Sequence, residues 1–95
     1  MTTTVLWRMK VHSNKEADFE RLVLQLVRDV QANEPGNVFA YRRTQGEPHE
    51  YVLFLSFGDE QAYQRYSQAE WHRSVSPEIM ACLAAPPVPE NLETF

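Results

Sequence analysis

Six apolar residues, Phe19, Leu22, Val23, Leu26, Val27 and Val30, recur at intervals of three and four, while Asp18, Glu20, Arg21, Gln25, Arg28 and Asp29 take the positions between. This is the pattern of a helix with one broad apolar stripe. In a chain of 95 residues the stripe is a core face, because so small a domain needs it to build a core at all. Ser13 followed by Glu16 has the spacing of a capping box and predicts the helix start. Glu34-Pro35-Gly36-Asn37 predicts its end: proline cannot continue a helix, and glycine takes a positive φ cheaply.

The segments on either side change period. From Thr3 to His12, Val5, Trp7, Met9 and Val11 alternate with Leu6, Arg8, Lys10 and His12, which predicts a half-buried strand. A second strand is expected from about Asn37 to Thr44, with Phe39, Tyr41 and Arg43 facing opposite to Val38, Ala40 and Arg42. Gly46-Glu47-Pro48-His49 is turn chemistry. Tyr51 to Phe57 is apolar on both faces except at Ser56, which predicts a central strand paired with the second as a hairpin. The first and third strands are expected to be parallel neighbours, joined by a right-handed crossover through the helix.

Asp59 is the expected N-cap of a second helical segment whose inner face carries Ala62, Tyr63 and Tyr66. Trp71, Val75, Ile79 and Leu83 are spaced by four and suit continuation of the helix, yet Ser76-Pro77 looks like a fresh start. A break is therefore predicted between Glu70 and Ser76. Ala85 to Pro89 must be extended, and Asn91 to Phe95 supplies a last strand. The order is strand–helix–strand–strand–helix–strand: an α+β, ferredoxin-like split βαβ domain with an antiparallel sheet, one domain over residues 1–95.

Composition narrows the function. The net charge is −4 and the basic residues are interleaved with acids, so no basic face for nucleic acid is expected. The single cysteine, Cys82, cannot form an intramolecular disulfide and lies in an apolar stretch, which predicts a buried, inert thiol and suits a cytoplasmic protein. No signal-peptide pattern and no membrane-length apolar run is visible, so no membrane partner is expected. Three glycines cannot build a GxGxxG phosphate loop, there is no Gly-x-Ser-x-Gly elbow, and His12, His49 and His72 have no metal-ligand spacing. A domain this size buries only about two-thirds of its unfolded surface, which makes self-association an expected route to stability.

The acidic-Pro-Gly turn after an amphipathic helix, the two strands that follow, and then Phe57, Asp59, Ala62-Tyr63 and His72 within FGDEQAYQRYSQAEWHRS together resemble the antibiotic biosynthesis monooxygenase family. The resemblance implies a dimeric α+β barrel with a pocket between each sheet and its helices. It also implies an oxidoreductase that oxygenates a phenolic, quinol or polycyclic aromatic substrate without metal or flavin, molecular oxygen being the co-substrate. Other branches of the family degrade haem or isomerise small sugar-derived signals. This sequence departs from the pattern in three places. It has no Glu near the end of the third strand, it carries Tyr66 where a histidine is frequent, and it has no asparagine in the first strand, which speaks against haem degradation.

Oxygenation without a cofactor requires deprotonating the substrate, stabilising the resulting anion and excluding water. His72 is the expected base, with an ordinary pKa near 6.5, against the alternative of a surface or helix-end histidine. Tyr66 is the expected donor to a substrate oxygen, against a half-buried aromatic with a wet hydroxyl. Trp71 is a candidate to stack on a planar substrate and Trp7 to line the pocket, each against core packing, which their spacing and strand face favour. Tyr63 would line the same pocket. Arg43 would steady an anion, or is a solvated edge-strand arginine. A non-catalytic ligand-binding or regulatory dimer, or an isomerase, would use the same fold.

Overall fold

The computed structural model describes residues 2–33, 36–46, 48–93 and 95. Its elements are β1 (Thr3–Lys10), α1 (Glu16–Asn33), β2 (Gly36–Arg42), β3 (Glu50–Phe57), α2 (Glu60–Gln68), α3 (Glu70–Ala81) and β4 (Val88–Leu92). The four strands form one sheet in the order β2-β3-β1-β4. β3 is central, as its two apolar faces require. It lies beside β1, but the pair is antiparallel, with Val5 opposite Leu55 and Trp7 opposite Leu53; the expected parallel pairing is wrong. The hairpin is the reason. β2 and β3 must run in opposite directions, so the crossover through α1 makes β1 parallel to β2, and β3 inserts between them.

The stripe on α1 does what its period demands: Phe19, Leu22, Val23, Leu26 and Val30 are buried on the sheet face carrying Val5, Met9, Val38, Leu53, Leu55 and Phe57. The helix starts later than the capping-box spacing implies. Phe19 N–H bonds to the Lys15 carbonyl (2.9 Å), so Glu16 is the first helical residue. Its carboxylate accepts from the Tyr51 hydroxyl of β3 (3.1 Å) and lies 3.0 Å from His49 Nδ1.

Glu34 and Pro35 of the predicted stop lie outside the described residues. Gly36 is required for a reason other than positive φ. A Cβ there would sit 2.5 Å from the Phe57 ring, its cross-strand partner, so glycine lets that ring lie against the backbone. The chain uses positive φ elsewhere, at Gly46 and at His49 in the hairpin connection.

Asp59 caps α2, its Oδ1 accepting from Ala62 N–H (2.8 Å). The break falls at Ala69, in extended conformation (φ −63°, ψ 139°), one residue before the predicted interval. Ala69 donates to the Tyr66 carbonyl (3.3 Å), and its own carbonyl accepts from His72 and Arg73 (3.1 and 2.9 Å). It closes one helix and opens the next. Pro77 therefore lies inside α3, and the fresh start read at Ser76-Pro77 does not occur. β4 begins at Val88, earlier than the Asn91 expected, and Thr94 lies outside the described residues. Pro89 is tolerated because β4 is an edge strand paired only with β1.

Among the described residues no helix covers the other face of the sheet. Leu6, Phe54 and Phe39 line up across β1, β3 and β2, with Glu90 of β4 at the end of the row, and Val88, Arg8, Val52 and Tyr41 line up across all four strands. Phe39, Tyr41 and Val88 are about half exposed there.

Candidate functional site

Because α2 and α3 meet at an angle at Ala69, they do not seal the sheet beneath them. A cavity of about 330 Å³ remains, floored by Trp7 and Met9 of β1 and Leu53 of β3. Leu26 of α1 closes one side. Tyr63, Tyr66 and Ser67 of α2 and His72, Ser76, Ile79 and Met80 of α3 form the roof, with Pro87 at the rim. No Asp, Glu, Lys or Arg lines it among the described residues.

Tyr66 is the hub of the roof. Its ring lies 5.1 Å from Phe57, 5.9 Å from Tyr63, 6.0 Å from Trp71 and 4.4 Å from the His72 imidazole, centroid to centroid. Burial raises the pKa of its hydroxyl far above the ordinary 10, and Tyr63 adds to the effect. At neutral pH this phenol is a donor, not a base. Burial also raises Tyr63, with a smaller push from the Glu60 carboxylate.

Among the described residues His72 is the one basic group lining the cavity. Nδ1 is buried and has no hydrogen-bond partner among the described residues. Burial lowers the pKa below 6.5, opposed in part by the Ser67 backbone. The imidazole is thus neutral at physiological pH. A buried nitrogen with nothing to bond is costly, and such groups cluster where a protein has chemistry to do.

Four of the six residues singled out from the sequence, His72, Tyr66, Trp7 and Tyr63, converge on this cavity. Trp71 stands behind Tyr66 and packs against the core rather than lining the space. The structure does not bring Arg43 here. It follows the end of β2 and pairs with Glu50, Nη1 to Oε2 at 2.6 Å. Sequence reasoning missed Ser67 and Ser76, the cavity's two small hydroxyls; Ser76 lies one helical turn after His72, and that spacing was the available signal. The apolar lining, Met9, Leu26, Leu53, Ile79 and Met80, could not be told from core by periodicity. Cys82 is buried, as expected, with its thiol pKa raised first by desolvation. Among the described residues no group of three His, Cys, Asp or Glu side chains could hold a metal, and no helix is long and apolar enough to cross a membrane.

Residues 2–77 match the family described as antibiotic biosynthesis monooxygenase. The chain belongs to this family. Antibiotic biosynthesis monooxygenases share the α+β architecture found here, and membership supports a monooxygenase-type function. Among solved structures, a protein of Caulobacter crescentus provisionally named an antibiotic biosynthesis monooxygenase is similar with a TM-score of 0.87 at 23% identity, over 99% of this chain and 90% of that one. Rv0793 of Mycobacterium tuberculosis is similar at TM-score 0.89 and 14% identity, over 100% and 96%. A conserved protein of Methanosarcina mazei Go1 gives 0.90 and 15%, over 100% and 94%. At such identities the likeness is one of fold. No curated protein matches the chain.

Proposed function

We propose that this family member is a cofactor-independent monooxygenase acting on a phenolic, quinol or polycyclic aromatic substrate, with His72 as the base. The observation that carries the reading is the unpartnered, buried Nδ1 of His72, a residue that lines an aromatic cavity with no charged side chain among its described walls. A substrate hydroxyl would complete that nitrogen's bonding and give up its proton to it. The imidazolium so formed pairs with the substrate anion in a low-dielectric space. Tyr66, held protonated, donates to a substrate oxygen. Trp7 and Tyr63 supply flat apolar walls that exclude water, and Trp71 supports the Tyr66 ring from behind.

The electron-rich anion passes one electron to molecular oxygen, and the radical pair recombines at a ring carbon. For an anthrone-type ring, the CH₂ plus O₂ becomes a ring carbonyl plus water, both hydrogens leaving with the second oxygen atom. In this reading the substrate anion is the reductant, and neither metal nor flavin is needed.

We propose in addition that the working form is a cytoplasmic homodimer packed through the helix-free sheet face. The aligned Leu6, Phe54 and Phe39, with half-exposed Tyr41 beside them, make an apolar surface bordered by the Arg8–Glu90 ion pair, of the kind that marks an interface.

An oxygen electrode tests the activity with several hydroquinones and anthrone-like phenols. Expected is substrate-dependent oxygen uptake that falls by at least about 100-fold in His72→Ala. Tight binding without uptake above the His72→Ala control would overturn the oxygenase and leave a binding protein; conversion of substrate under nitrogen would mark an isomerase. Sedimentation or light scattering checks the dimer.

A further inference from the structure

A second hollow of about 400 Å³ lies outside the cavity, lined by Met80, Leu83, Ala84, Ala85, Pro86 and Pro87. It has two walls in common with the cavity, Met80 and Pro87. No charged side chain lines either space among the described residues. The outer hollow is built on anchored backbone. Ala84 N–H bonds to the Lys10 carbonyl (2.8 Å), Leu83 bridges to Val11, and Pro86-Pro87 has its φ angles fixed by the rings.

We propose that the two hollows form one site for a two-part ligand: a neutral planar phenol in the cavity and an unbranched apolar chain leaving between Met80 and Pro87 along Leu83 to Pro86. This rests on the aromatic reading of the cavity above. At about 330 Å³ the cavity is at the small end of ligand sites, so a ring system fills it and any long substituent has to leave. The shared wall offers the way out. Met80 is 47% exposed, and an unbranched thioether repositions at low cost. A charged substituent would find no partner on this path and would lose its hydration. The alanines present only methyl groups, so they hold a chain by contact area and give no directional bonds.

Anaerobic titration of the full chain with naphthohydroquinones, read by quenching of tryptophan fluorescence, tests this apart from turnover. The probes bear hydrogen, butyl, octyl or a carboxylate-ended butyl group at one ring carbon. Each added methylene should lower Kd by about two- to fourfold until the hollow is filled, and the carboxylate should cancel the butyl gain. Ala85 is exposed and outside the cavity. Ala85→Asp should therefore bind the unsubstituted ring as the wild type does while losing most of the octyl gain. Equal Kd values across chain lengths, or a full octyl gain in Ala85→Asp, would overturn the proposal. Chain-dependent binding without oxygen uptake would sink the oxygenase reading and leave this one standing. Turnover of the bare ring without any chain effect would do the reverse.

Discussion

Two tyrosines lie in the layer between sheet and helices, both almost fully buried, and their surroundings are opposite. The Tyr51 hydroxyl shares its one proton between Glu20 and Glu16 and accepts a long bond from Arg42 Nε (3.5 Å). Burial and its carboxylate neighbours push its pKa up to about 12. Tyr66 is raised further by burial, and it faces an imidazole and other rings. Around Tyr51 the polar atoms answer one another: Glu20 is held below its usual 4.5, first by the Tyr51 hydroxyl and then by Arg42. Beside Tyr66, His72 Nδ1 has no partner among the described residues. The same layer is chemically complete at one place and open at the other. Completeness contributes stability; the open place is where the proposed substrate would supply what is missing.

The largest expected effect breaks the open end. In His72→Leu, activity should fall by at least about 100-fold, while stability should hold or rise, because the variant removes an unsatisfied buried nitrogen. The pH dependence has a definite sign. His72 has a folded pKa below its unfolded 6.5, so between the two values the unfolded chain binds a proton that the folded one refuses. Stability is undiminished above 6.5 and falls as pH drops toward the folded value. Urea midpoints followed below pH 6.5 should show this slope in the wild type and a shallower one in His72→Leu. In the proposed role, His72 stays neutral below 6.5 until pH reaches the folded value, so activity should persist over that interval. A variant that loses stability along with activity would mark His72 as a packing residue.

The next effect reaches the roof of the cavity through its support. Gly36→Ala forces a methyl against the Phe57 ring and should cost about 2 kcal/mol. Phe57 contacts both Tyr63 and Tyr66, so ligand affinity should fall as well. Thermal unfolding and fluorescence titration check both. A loss below about 0.5 kcal/mol would mean that the ring yields and the close approach is not needed.

What the sequence made legible follows the strength of its periods. The α1 stripe, the alternation in β1 and the doubly apolar β3 each admit one reading, and together they give element order and sheet centre. Strand direction was misjudged because period says which face is buried and nothing about which way a neighbour runs; the hairpin decides that. The Ala69 break carries no proline or glycine, so no residue type announced it, whereas Pro77 announced a start that the helix absorbed. At the site, His72 and its aromatic neighbours were legible as chemistry-bearing types on one segment. Met9, Leu26 and Leu53 line the cavity only because α2 and α3 meet at an angle, and a tertiary angle leaves no local signature.

A smaller effect tests the complete end. Tyr51→Phe should cost about 1 kcal/mol, the worth of one hydrogen bond to a charged neighbour that water can partly replace. Glu20 should then titrate closer to 4.5, because the Tyr51 hydroxyl is the largest cause of its depression. A carboxyl lowered in the fold stabilises above its unfolded pKa and loses that contribution as pH falls through the folded value. The variant should therefore lose less on acidification. NMR titration of the Glu20 side chain measures this, and an unmoved pKa would assign the depression to Arg42 instead.

The smallest effect belongs to Arg43. Its pair with Glu50 is tight at 2.6 Å, but the side chains are 45% and 22% exposed, and such surface pairs contribute about 0.5 kcal/mol or less. The strand register survives its loss, because the Arg43 backbone N–H bonds to the Glu50 carbonyl (2.9 Å) whatever the side chain. Arg43→Ala should thus leave the urea midpoint nearly unmoved, and oxygen uptake too, since the residue is outside the cavity. The contrast with Arg42 is one of strand face: Arg42 turns toward α1 and meets Glu20 and Tyr51, while its neighbour turns away. A tenfold loss of activity in Arg43→Ala that deepens on dilution would place this arginine at the contact between two copies, where it would act on the site only through dimerisation.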